Sequence, residues 1–332
     1  MAAGHSLQNG LYEGRPLSDD EMWSAFAYVF SSKSVNDTSY KFGFLKSILD
    51  NLYNVDAELK LTFDQLFSTF AEIYWNLVLK HHILQKNPGK LNRQSALERV
   101  LTEAKEKFAI EDDIPFESIS NEAKKYVYHK VKQNCKQNVV GALYADLQQL
   151  LYSFDKAGEW IQFNPQMYEF VCKRKVAIEK INYYEWAKFL EKVNEDSVVD
   201  HLLSKIDEST LHTRKSLMYY RDILFQEFEN KCFYCGKPVS YGNVEVDHFI
   251  PWSFVKDDKL WNFVLSCPEC NNQKRDKLAN TVYLERIEER NKILIEQSEL
   301  ASRIHLGRVR QIYNYAKRNG YNDIWAPEKK CI

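Results

Sequence analysis

Two Cys-x-x-Cys pairs, Cys232 with Cys235 and Cys267 with Cys270, lie about thirty residues apart in the last third of a chain of 332 residues. Four thiolates at this spacing close a tetrahedral shell around one Zn²⁺ and leave no open position. A closed site of this kind is structural, and the chain between the pairs must double back so that they meet. The binding free energy of the ion then substitutes for a hydrophobic core that so short a segment cannot fill. A thioredoxin-like redox pair is the competing reading, but it needs one Cys-x-x-Cys rather than two bracketing a single motif. The same usage favours a reducing, cytoplasmic compartment over a disulfide framework. Cys135, Cys172 and Cys331 stand apart and read as buried small apolar residues or unpaired tail thiols.

Between the pairs, NVEVDHFIPW alternates Val244, Val246 and Phe249 with polar neighbours, as a half-buried strand does, and Pro251 ends it. Neighbours on a strand point to opposite sides, so Asp247 and His248 are expected to face apart. A carboxylate suits a hard cation such as Mg²⁺, and a neutral imidazole takes a proton from water near neutral pH. One Asp beside one His is weak ground alone. It gains weight from WNFVLSCPECNNQK, which sets Asn262 before an apolar FVL strand and Asn271 directly after the last cysteine, where a helix is expected to start.

Over residues 215 to 285 this pattern resembles the HNH endonucleases, the ββα-metal nucleases, with DH, then N, then CxxCN and a following lysine in the family's order. The resemblance extends to the nuclease domain of the RNA-guided CRISPR effector. Its DH, SF-hydrophobic-KDD, N and final N recur at the same intervals in DHFIPWSFVKDDKLWN and CNNQK. That effector lacks the cysteine knuckles, so the likeness concerns catalysis rather than stabilisation. The resemblance implies His248 as the general base, Asp247 and Asn271 as ligands of one catalytic divalent ion, and Asn262 as a brace for the loop that holds His248. Asn271 stands at the third position of the His-Asn-His pattern, a common variant. Oxygen ligands of this kind suit Mg²⁺ or Mn²⁺ better than zinc.

Lys274, Arg275 and Lys277 follow Asn271 along the same expected helix and are candidates for phosphate contacts, Lys274 being favoured by its family position. Asp257 and Asp258 read as a solvated turn, and Glu245 as a surface carboxylate or one supporting the ligands from behind. Further on, Arg303, Arg308, Arg310, Lys317 and Arg318 lie on one or two expected helices, forming either a DNA-backbone track or a solvated face.

The rest of the chain reads as helical. Apolar residues recur three and four apart in MWSAFAYVF, YKFGFLKSILDNLY and FDQLFSTFAEIYWNLVL, predicting three helices, with Asp20 and Glu21 in a first turn and Thr62 with Gln65 as a capping pair. SALERVLTEAKEKF predicts a fourth helix, EDDIPFESIS a break, and residues 121 to about 154 a return to helix; EWIQFNPQMYEF has an extended or irregular texture. The 20 Tyr and 19 Phe fall at core-like spacing, which favours packing over base stacking. No internal repeat and no phosphate-cradling glycine loop stands out, which excludes a readable ATPase or dinucleotide site.

Residues 200 to 213 turn polar and charged, so the expected organisation is a helical domain over 1–212 and a zinc-stabilised nuclease domain with a helical extension over 213–332. The class is mainly α with a small α+β domain. Residues 231 to 332 carry 17 Lys and Arg against 13 Asp and Glu, whereas the whole chain is formally at -1, so the polyanion face is expected at the C-terminal end. No secretory signal is readable in MAAGHSLQNG, and no apolar run approaches the roughly 20 residues that span a bilayer, so a soluble protein is expected.

The expected function is therefore an endonuclease on nucleic acid, DNA first, acting as the effector of a bacterial restriction or anti-phage system by analogy alone. The alternatives are a catalytically idle zinc-stabilised binding or scaffold subunit, and an enzyme that waits for a protein partner or signal to engage its N-terminal domain.

Overall fold

The structure, a computed structural model, describes residues 4, 6–86, 94–210, 217–297 and 308–327, so Arg303 and Cys331 lie outside the described residues. The chain divides into two compact units, Met1–Leu211 and His212–Ile332. The class is as expected, mainly α with small sheets.

In the first unit, β1 (Asn9–Gly10), α1 (Asp19–Val29) and α2 (Tyr40–Asp50) are followed by β2 (Lys60–Thr62), which runs directly into α3 (Phe63–Trp75). The expected Asp20 and Glu21 lie in the first turn of α1, where Glu21 forms a capping box with Ser18, and the expected pair Thr62 with Gln65 forms another at α3. A third, Ser95 with Glu98, opens α4 (Ala96–Lys107). The helix expected to reach residue 154 is α5 (Asn121–Asp146) and stops earlier. Gln148 and Gln149 adopt left-handed φ values of 54° and 63°, and YSFD then forms β3 (Tyr152–Asp155). The extended texture of EWIQF is β4 (Trp160–Phe163), whereas NPQMYEF opens α6 (Pro165–Val193), with Asn164 as its cap and Pro165 at the position that needs no N–H. The short α7 (Asp196–Val199) and α8 (Leu202–Thr210) complete the unit.

Its four strands form one antiparallel sheet in the order β1-β3-β4-β2, with Ile161 opposite both Leu61 and Phe154. The core is aromatic. Phe44 lies 5.5 Å from Phe67, and Phe70 lies 4.4 Å from Tyr74, all without solvent contact. Gly43 makes this possible, since a Cβ there would stand 2.3 Å from the Tyr74 ring. Lys46 is fully buried yet charged, held between Asp50 and Glu179, the latter at 3.0 Å.

In the second unit, α9 (Met218–Glu227) precedes the first cysteine pair. Then come β5 (Glu245–His248), α10 (Trp252–Val255), β6 (Phe263–Ser266), α11 (Pro268–Lys274), β7 (Leu278–Ala279), α12 (Leu284–Gln297), α13 (Arg308–Arg318) and β8 (Ile324–Trp325). β5 and β6 are antiparallel, with Asp247 opposite Val264 and His248 opposite Phe263. Arg290 of α12 is buried and donates to the carbonyls of Phe263 and Trp261, which Asn291 also reaches at 3.0 Å. Those contacts tie α12 to the chain entering β6. Among the described residues no helix is long and apolar enough to cross a membrane.

Candidate functional site

The four cysteines converge. Cys232, Cys235, Cys267 and Cys270 place their Sγ atoms within 4.8 Å of one another. The first pair sits in a tight loop closed by Gly236 N–H to the Cys232 carbonyl at 2.9 Å and by Cys232 N–H to the Lys237 carbonyl at 2.8 Å. Gly236 has φ +75°, a conformation that strains any side chain. Phe233 N–H donates to the Leu265 carbonyl at 2.8 Å, which pins this loop to β6. In the second pair Cys267 precedes α11 and Pro268 takes its first position.

Burial raises the Cys232 thiol, but hydrogen bonds from the backbone of Cys235, Cys267 and Tyr234 outweigh it and hold the thiol at about 7. Burial and the neighbouring Cys232 push Cys270 well up. Four sulfurs this close, with one favoured as thiolate and another opposed by that charge, call for a cation among them. The donor set fits a structural Zn²⁺.

Beside this cluster, β5 lies against α11. Glu245 and Asp247, two apart on the strand, share one face, and Asn271 and Lys274, three apart on the helix, share another. The two faces meet. Asn271 Nδ2 donates to Glu245 Oε2 at 2.7 Å. Lys274 Nζ stands 2.9 Å from Asp247 Oδ2 and donates to the His248 carbonyl at 2.6 Å. The Tyr234 hydroxyl also donates to Asp247 Oδ2. Burial, and then the Asp247 charge, push that hydroxyl well above its ordinary range, so it stays protonated as a donor.

His248 has a different set of partners. Its Nε2 lies 2.8 Å from Asp258 Oδ1, both side chains being only 9% exposed, and its ring packs edge-on against Phe263 at 4.6 Å. Asn262 has no solvent exposure and clasps the chain two residues beyond His248. Its Nδ2 donates to the Ile250 carbonyl at 2.8 Å, its Oδ1 accepts from Ile250 N–H at 2.8 Å, and its own carbonyl accepts from Phe249 N–H at 2.7 Å. The structure thus sets an imidazole held at one nitrogen beside a strand and helix that carry hard oxygen donors.

Residues 232–280 match a family model described as HNH endonuclease. This segment is an HNH-family domain. No curated protein and no solved structure matches the chain. The family brings nuclease chemistry, a nucleic-acid substrate and a divalent metal as general properties, and the cysteine cluster adds a site compatible with structural zinc.

Within the HNH segment several basic residues are not where the sequence pattern expects them. Lys274, expected to contact phosphate, has no side-chain exposure, and its ammonium meets Asp247 and the His248 carbonyl. Arg275 and Lys277 do not continue the helix, because α11 ends at Lys274 and Arg275 takes φ 49°. Arg275 is exposed, with Nε donating to the Asn272 carbonyl, and Lys277 is exposed. On α13, Arg310 forks onto Glu288 at 2.6 and 3.0 Å, so its charge is already paired; Arg308 is half-buried.

Two carboxylates gain a place at the site. Asp258 is not a solvated turn residue but the partner of His248, and Glu245 is the partner of Asn271. The signal for Glu245 was available, since it alternates with Asp247 on the same strand face. For Asp258 none was, because the loop's path back to His248 depends on α10 and on Lys256 at φ 60°.

Proposed function

We propose that this chain is a metal-dependent endonuclease whose HNH segment hydrolyses phosphodiester bonds of nucleic acid, with DNA as the substrate. The supporting observation is the meeting of β5 and α11, which gathers Asp247, Asn271 and Glu245 next to a His248 that is fixed by Asp258. In this reading His248 accepts the proton of the attacking water, Asp247 and Asn271 hold Mg²⁺ or Mn²⁺, and Asn262 keeps the chain beyond His248 in register. The divalent ion, when bound, supplies charge stabilisation to the phosphoryl oxygens and the departing oxyanion. Cys232, Cys235, Cys267 and Cys270 hold Zn²⁺ and keep the two halves of the motif together. Among the described candidates near the site, Arg275 and Lys277 are exposed and able to meet the backbone, whereas Arg310 is already paired with Glu288.

The division proposed is a helical domain over 1–212 that recognises a substrate, a partner or a signal, and the nuclease over 213–332. A cytoplasmic effector of a bacterial restriction or anti-phage system is the biological setting that such an arrangement suits, by analogy alone. A second reading, a zinc-stabilised subunit that binds nucleic acid but cuts only after a partner engages it, draws support from Lys274, whose ammonium already occupies the Asp247 carboxylate.

The deciding experiment incubates purified protein with supercoiled plasmid in Mg²⁺ or Mn²⁺, comparing the native protein with His248→Ala. Loss of cleavage in the variant, with its zinc content and unfolding temperature kept, is the expected result. Undiminished cleavage by His248→Ala would sink the mechanism. Tight binding of DNA or RNA without cleavage by either protein would favour the second reading.

A further inference from the structure

An imidazole is a usable base only if the nitrogen that faces the water is the one without a proton. A neutral histidine has two tautomers, and the hydrogen bond made by one nitrogen selects which of them is present. In this chain the selecting partner is a carboxylate ten residues further on, the second Asp of the KDD loop.

Asp258 Oδ1 lies 2.8 Å from His248 Nε2, and each side chain is 9% exposed, so the contact is sheltered from competing water. An ionised carboxylate can only accept a hydrogen bond, which requires the proton on Nε2. Among the described residues no group bonds His248 Nδ1. Asp258 is itself fixed at both backbone atoms, its N–H donating to Asp257 Oδ1 at 2.8 Å and its carbonyl accepting from the Tyr220 hydroxyl at 3.1 Å. The ring has a second restraint in Phe263, packed edge-on against it.

The geometry points to Asp258 as the positioning residue of the site: it holds His248 as the Nε2–H tautomer and leaves Nδ1 as the basic atom. In this assignment Asp258 acts through the imidazole that it holds. Its consequence for turnover rests on the nuclease reading above, whereas the tautomer itself does not.

The test therefore has two readouts on the zinc-loaded, full-length protein. With ¹⁵N-labelled histidine, the His248 signals, identified by their loss in His248→Ala, are expected to show a protonated Nε2 and an unprotonated Nδ1. In Asp258→Ala the same signals are expected to average between tautomers. Plasmid cleavage by Asp258→Ala is expected to fall in kcat by about 10-fold or more, with KM changed less than about two-fold, as for a weakened base rather than weakened binding.

Zinc content checks that the variant is folded, and Asp258→Asn is the substitute if Asp258→Ala is not. A native protein with the proton on Nδ1, or a His248 spectrum unchanged by loss of the carboxylate, overturns the proposal. If the native protein shows the expected spectrum yet cleaves nothing, the positioning role stands and the nuclease reading fails.

Discussion

Asn262→Ala offers the sharpest separation between a brace and a ligand. The side chain makes both of its hydrogen bonds, each 2.8 Å, to the backbone of one residue, Ile250, which has no solvent exposure. Truncation leaves a buried N–H and a buried carbonyl with no water to replace the amide. Each such orphan costs about 1–3 kcal/mol, so the variant should lose about 2–6 kcal/mol. A domain of ordinary stability has about 5–15 kcal/mol in all, so the loss is a large share of it.

Zinc release during denaturation reports on the HNH segment alone and is the appropriate assay, with hydrogen exchange at the Ile250 amide as the local probe. Asn262→Asp should not rescue, because a carboxylate accepts from Ile250 N–H but sets a second oxygen against the Ile250 carbonyl. Were Asn262 a ligand instead, Asp would keep or tighten divalent-metal affinity. A loss below about 1 kcal/mol, with Ile250 exchange unchanged, would refute the bracing argument.

Two further outcomes follow from the same geometry. Removing zinc with a chelator, or replacing Cys235 with Ser, should unfold the HNH segment, since ion binding in such sites is worth about 10 kcal/mol or more. Circular dichroism and metal analysis check it, and a folded zinc-free segment would contradict it. Lys274→Met should cost about 3–5 kcal/mol by leaving the Asp247 carboxylate buried without its cation. Denaturant unfolding measures this, and a variant of native stability that merely binds DNA more weakly would restore the phosphate-contact reading.

Periodicity made most of the helical unit legible, and the reason is local. Capping pairs such as Thr62 with Gln65 are written within four residues, and the apolar stripes of α2 and α3 are continuous. The failure came at Asp146, where the apolar texture of YADLQQLLYSF persists but two consecutive left-handed glutamines break the helix. No composition rule marks Gln148 and Gln149 for that conformation, which is set by the need to return β3 onto β4.

At the site, what could be read were the chelating pairs and the order of Asp247, His248, Asn262 and Asn271. What could not be read was which charges the fold consumes internally. Lys274, Arg275 and Lys277 look equivalent as a basic run, yet α11 has seven residues and ends at the first of them. Lys274 sits three residues after Asn271, so it points to the same side, and that side is the acidic face of β5. A cation so placed has to meet Asp247 before it can meet a phosphate. Its burial follows from helix spacing once the facing strand is considered, and it alters the chemistry expected of the site: any divalent ion held by Asp247 must share that carboxylate with an ammonium already 2.9 Å away. Affinity for the ion should therefore rise when Lys274 is shifted toward substrate or replaced, which ties metal binding at this centre to the position of one buried side chain.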